Sequence, residues 1–154
     1  MQLWHAMVQA MLRTIQTGRG KMGRTILGIL AGTVLAWLTI TLSQLLSASL
    51  YPPPAGMDLR DPAALAGFIA AAPLEAMLCV VLGYGLAALV GGWVAARIDR
   101  LHPSVAALVV GALVLAGVVA NYSLIPHPLW MLVVGAVLPL PAAWWGARLA
   151  RPRV

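Results

Sequence analysis

Glu75, Asn121, Tyr122 and His127 are the candidates in this sequence for moving a proton or holding a polar ligand. A carboxylate serves as general acid or base, and a neutral imidazole exchanges a proton near neutral pH. An amide and a phenol orient both by hydrogen bonding. Asn121, Tyr122 and His127 share one short stretch, ANYSLIPHP, and Glu75 follows Pro73 by two residues. A carboxylate within a membrane span is a functional hypothesis by default. Glu75, however, lies within a turn of the start of its helix, where negative charge is favoured in any case. Asn121 equally suits a helix end, and His127 between Pro126 and Pro128 suits a turn. Two expectations stand side by side: a polar entrance built from all four residues, or interface residues without chemistry.

Other chemistry is thinly represented. One His beside one Asn falls short of the three or four ligands of a metal site, so no metal and no cofactor are expected. Cys79 is the single cysteine, which excludes an intrachain disulfide and a CxxC redox pair. Inside an apolar run it should act as a small apolar group. The sequence shows no nucleophile with a recognisable base, no phosphate-binding glycine loop and no paired carboxylates. The expectation is a protein without enzymatic activity.

The elements that would position these residues are membrane spans. Of 154 residues 62% are hydrophobic and 9% charged, where a soluble domain carries roughly 25% charged. The uncharged run 26–50 covers about 37 Å as a helix, more than the ~30 Å hydrocarbon core. Further spans are expected at 74–96, 104–125 and 129–147, with Pro73 and Pro103 opening two of them and Arg97 and Arg148 closing two. The predicted fold is an all-α membrane protein, four transmembrane helices in an antiparallel bundle forming one domain over 25–150.

Charge sets the expected orientation. Nine basic residues, Arg13, Arg19, Lys21, Arg24, Arg97, Arg100, Arg148, Arg151 and Arg153, fall on one side of such a bundle, and Arg60 alone falls on the other. The positive-inside rule places both termini, including the basic tail 151–154, in the cytoplasm. The excess of +6 is thus a topology signal and no nucleic-acid partner is expected. The loop Arg97-Ile98-Asp99-Arg100 is expected to fix topology, with contact to anionic lipid heads as its other use. Tyr51, Tyr122 and Trp130 fall near one interface, and Trp93, Trp144 and Trp145 near the other, as amphipathic rings prefer.

Two segments flank the first span. In 1–24, Leu3, Trp4, Met7, Val8, Met11, Leu12 and Ile15 recur at helical spacing, which predicts an amphipathic helix on the cytoplasmic leaflet hinged at Gly18-Arg19-Gly20. On the other side, SLYPPPAGMDLRDP must break the helix, because three prolines in a row lack donors and lock φ. Asp61-Pro62 is an N-cap followed by a first-turn proline, predicting a short extracytoplasmic helix over 63–72.

Small residues predict where helices touch. Gly83, Ala87, Gly91 and Ala95 recur every four residues, Ala88, Gly92 and Ala96 do so one position on, and Gly28 with Gly32 forms another such pair. Lipid supplies little hydrophobic drive between helices, so close backbone approach at small residues supplies dispersion contacts instead. Pro139 and Pro141 should break the fourth helix, leaving the carbonyls of Gly135 and Val137 without their helical donors.

The stretches LYPPPAGMDLRDPAAL, GYGLAALVGGWVAARI, ANYSLIPHPLW and LPLPAAWWGARLA, with Pro73 between the first two, resemble in content and order a group of small bacterial inner-membrane proteins with four predicted helices. The resemblance covers roughly 26–150. It implies the fold and a bacterial inner-membrane location, and implies no activity. Asn121, His127 and Trp130 match the group's pattern, whereas Glu75 stands where the pattern has a small residue. The expected function is a structural or partner-binding membrane subunit, with a small oligomeric transporter or channel as the alternative. Expected partners are the lipid bilayer and either further copies of the chain or another membrane protein.

Overall fold

The computed structural model describes residues 2–58, 60–125 and 127–151, with side chains from residue 22 onward. It is all-helical over these residues: α1 Gln2–Leu50, α2 Pro62–Ala71, α3 Leu74–Ile98, α4 Pro103–Leu124, α5 Leu129–Val137 and α6 Pro139–Ala150. Four stretches are long and apolar enough to cross a membrane: Met22–Leu50, Leu74–Ile98, Pro103–Leu124 and Leu129–Ala150, the last made of α5 and α6 together. Large apolar side chains point outward along them, among them Trp37, 74% exposed, and Leu42, 69% exposed. A water-facing surface would not carry contiguous apolar area on this scale. The chain is an integral membrane protein.

One expectation needs correction. The hinge at Gly18-Arg19-Gly20 does not form, and 1–24 holds no separate helix, because α1 is helical without interruption from Gln2 to Leu50. A helical glycine costs only about 1 kcal/mol, and no proline follows until Pro52, so propagation from the long apolar span carries through. The amphipathic face expected on residues 2–21 lies outside the described side chains.

Helix ends follow local chemistry. Beyond Leu50 the prolines stop α1, and Gly56, at φ +81, completes a turn in which the Met57 amide donates to the Pro54 carbonyl at 3.2 Å. Glycine suits that site because the left-handed region is open to it without a Cβ penalty. Asp61 then caps α2, its carboxylate accepting from the Ala63 amide at 3.0 Å. Pro73 and Pro128 directly precede α3 and α5, and Pro103 is the first residue of α4. Between α5 and α6, Leu138 keeps helical angles (φ −65, ψ −38) and its amide still reaches the Val134 carbonyl at 2.9 Å. Pro139 and Pro141 thus divide the fourth span without reversing it.

Helix α3 is the hub, packing against α1, α4, α5 and α6. On one face Gly91 meets Gly32, where a Cβ added to Gly32 would lie 2.5 Å from the Gly91 carbonyl oxygen. Gly28 faces Ala95, and Gly83 faces Ser43, so contact positions rise along α1 as they fall along α3. Ala87 and Ala95 are fully buried on α3. The other face carries Gly92 against the Ala143 backbone, and a Cβ added to Gly146 of α6 would meet the Leu89 carbonyl and lie 2.8 Å from the Trp93 amide nitrogen. Val110 of α4 closes the seam between Gly32 and Gly91. The core is accordingly built of alanine and valine: Ala36, Ala88, Ala106, Val110, Val114 and Ala143 form one buried cluster with Tyr84. Both ridges of α3 are consumed within the chain.

Candidate functional site

Helices α3 and α4 bring Tyr84 and Asn121 together, the Asn121 amide nitrogen donating to the Tyr84 hydroxyl at 3.1 Å. Tyr122, one residue on, turns the other way. Its hydroxyl donates to the Met131 carbonyl at 3.1 Å, and its ring meets His127 edge to face with centroids 4.6 Å apart. Gly135 makes room for that ring, since a Cβ there would stand 3.0 Å from the Tyr122 hydroxyl. His127 Nδ1 lies 2.7 Å from the Ile125 carbonyl. A carbonyl only accepts, so Nδ1 carries the proton and Nε2 is the free ring position.

The four residues of the expected entrance do not form one site. Asn121 lines a groove between α1 and α4, and His127 lines a different cleft beneath α2. Tyr122 and Glu75 line neither cavity, and Glu75 is exposed. The helical turn after Pro73 aims Glu75 outward while Ala76 and Met77 point to the cleft. No catalytic pair follows from this geometry: His127 leans on a carbonyl and an aromatic ring, with no carboxylate to orient it. Among the described residues no group of three or more His, Cys, Asp or Glu gathers to hold a metal. Cys79 is a free thiol.

The cleft beneath α2 has a volume of about 570 Å³, and its lining includes Tyr51, Phe68, Ile69, Met77, Val80 and Met131 besides His127. The α1–α4 groove, about 500 Å³, has a more polar floor: Thr33, Thr41, Gln44, Tyr84 and Asn121 interrupt an apolar lining of Ala36, Ile40, Val114 and Val118. Thr33 Oγ1 is buried there without a hydrogen-bond partner, an expensive state for a hydroxyl at membrane depth. Trp37 stands on the rim, and Gly117 leaves open space, with no atom within 4 Å of a Cβ built upon it.

No family model, curated protein or solved structure matches this chain. The geometry of its own residues therefore has to carry the functional reading.

The most tightly bound polar residue is one that the pattern of types left in a topology loop. Asp99, just past α3, is 0% exposed, the one buried charged side chain among the described residues. Its carboxylate accepts from the Thr25 hydroxyl at 2.8 Å and from the Leu101 and His102 amides at 3.1 and 3.3 Å. Burial pushes this carboxyl's pKa up. The three hydrogen bonds and the electrostatic influence of His102 outweigh that and hold it below the ordinary aspartate value. Asp99 ties the start of the first span to the α3–α4 turn. The signal available in the sequence was its isolation: it is the only acid among the arginines at that end of the bundle.

Proposed function

We propose that this chain is a non-catalytic subunit of the bacterial inner membrane, an antiparallel four-span bundle with both termini in the cytoplasm, that acts by assembling with a second copy through its α1–α4 groove. The observation that carries the reading is the exposed Gln44 amide, beside exposed Thr41, on the wall of an open groove at membrane depth. Lipid tails cannot satisfy such a group, whereas Thr and Gln side chains of a neighbouring helix can. Thr33, Trp37, Thr41 and Gln44 form one stripe on α1, so a two-fold arrangement brings the same polar stripe to both grooves. Trp37 and the open space at Gly117 line the same groove, so in that arrangement the ring of one copy would enter the space of the other. The α1 span is also the least buried of the four, which fits a helix awaiting a neighbour. The alternative, a transporter with an extracytoplasmic entrance, would need Glu75 and His127 to share a cavity, and only His127 lines one.

In liposomes at low protein density, single-molecule photobleaching should count two copies for the native chain and one for Gly117→Leu, which fills the groove. Gly117→Leu should melt with the native protein, because nothing stands near that position. Gly23→Leu, equally unhindered but outside the groove, should remain two copies. A monomeric native chain would sink the assembly reading.

The antiparallel order is supported by the reversed sequence of contacts between α1 and α3, and the orientation by the arginine asymmetry. A periplasmic phosphatase fused at Gly56 should be active, and one fused after Arg151 inactive. The reverse pattern would invert the bundle.

A further inference from the structure

At the bundle end that carries Asp99, three guanidinium-bearing side chains line one cavity. Arg97 and Arg100 come from the end of α3 and its turn, Arg151 follows α6, and Ala96, Pro103 and Ala150 complete a space of about 470 Å³. Arg151 Nη2 donates to Ser104 Oγ at 3.2 Å, which brings its guanidinium to the first turn of α4. No side chain caps that turn, so the partial positive charge of its amides adds to the arginines. Arg97 stacks over the Trp93 ring at 5.2 Å, and outside the cavity Arg148 does so over Trp144 at 4.1 Å. These contacts hold the long side chains at the level where amphipathic rings settle in a bilayer.

Among the described residues no acidic side chain lines the cavity. The chain has four acidic residues. Asp58, Asp61 and Glu75 belong to the α1–α2 loop and the start of α3, at the far end of that helix. The fourth, Asp99, is buried and bonded to Thr25, Leu101 and His102. The negative ends of α3 and α6 attract one cation each, but Arg97 and Arg148 already occupy the last turns of those helices. Arg100 and Arg151 lie beyond the helices and remain for a ligand.

We propose that this cavity binds the phosphate of an anionic phospholipid, with Arg100, Arg151 and Ser104 on the head, Arg97 adding its charge from the wall, and the acyl chains along the apolar flank. Arginine forks match phosphate oxygens in geometry as well as charge, and basic pockets between span ends are where such heads dock. A lipid is the source indicated, because the cavity sits at the ends of membrane spans and Leu101 and Leu149, each next in sequence to a lining residue, are exposed. The proposal does not depend on assembly through the α1–α4 groove, and its test is read on single chains.

The test uses the full chain in a neutral detergent, titrated with phosphatidylglycerol, phosphatidylcholine or inorganic phosphate, with bound lipid counted by native mass spectrometry. The native chain should bind phosphatidylglycerol about tenfold more tightly than phosphatidylcholine. Arg100→Gln with Arg151→Gln should abolish that preference, while Arg24→Gln with Arg60→Gln, which removes the same charge elsewhere, should keep it. Both double variants should melt like the native protein in phosphatidylcholine micelles. Equal loss in the two pairs would reduce the effect to general surface charge and overturn the site. So would a pocket pair that is unstable without anionic lipid, since its arginines would then serve only the helix ends. Inorganic phosphate that displaces the bound phosphatidylglycerol at millimolar concentration would overturn the lipid assignment in favour of a free anion.

Discussion

Gly91→Leu is expected to disrupt the bundle, lowering its stability by about 3 kcal/mol or more, at the upper end of overpacking effects. A Cβ on Gly91 alone would lie 2.6 Å from the Gly32 carbonyl oxygen and 2.9 Å from the Ala36 Cβ. The first of these is backbone and cannot rotate away, so α1 and α3 must separate and release Val110 from the seam. The milder Gly91→Ala isolates the cause. In a helix, Gly to Ala ordinarily stabilises by roughly 0.5–1 kcal/mol, and Gly117→Ala, which meets nothing within 4 Å, should show that gain. Gly91→Ala should show a loss instead. Leu82→Ala, at a side chain 63% exposed to lipid, should stay near the native value. Unfolding in detergent followed by circular dichroism measures all four. Equal midpoints for the two alanine variants would remove the case for backbone contact between α1 and α3.

Asp99→Asn should cost about 2 kcal/mol at neutral pH, the scale of hydrogen bonds to a charged group. Its effect should also depend on pH in a defined direction. Because the folded state holds the Asp99 carboxyl below its ordinary value, folding favours the ionised form. The contribution is complete above about pH 4 and is lost as pH falls through the lower folded value. The stability gap between the native chain and Asp99→Asn should therefore be constant near neutrality and shrink in acid. Asp58, Asp61 and Glu75 are common to both proteins and drop out of the difference. A gap that stays the same down to about pH 3 would show that the carboxylate's charge contributes nothing and that only its shape matters.

Much of this architecture is written locally. An uncharged stretch long enough to span a bilayer folds as helix wherever it lies, because lipid leaves its backbone no other partners. Pro52, Pro73, Pro103 and Pro128 end or start helices through their own rings. Asp61 caps α2 because its carboxylate reaches an amide two residues away. These are properties of a residue and its neighbours, and composition and spacing expose them. The N-terminal segment misled for a related reason: Gly18-Arg19-Gly20 looks like a hinge residue by residue, yet helix propagation from the neighbouring span overrides two weak positions.

By itself, then, the sequence determined that four apolar helices cross a membrane, where prolines divide them, and which faces of α3 carry small residues. The tertiary structure alone decided what those faces meet. A four-residue period says that Gly83, Ala87, Gly91 and Ala95 share a stripe, but whether α1, α6 or another chain covers it depends on the packing of all the helices at once. The polar residues behaved likewise. Asn121 and Tyr122 are adjacent in the chain, yet a helix rotates successive side chains by about 100°, so they entered separate environments, and of the two Tyr122 meets His127. Asp99 looked like one charge in a loop of arginines. Its side-chain donor is Thr25, seventy-four positions earlier, and no local pattern reports a partner at that separation.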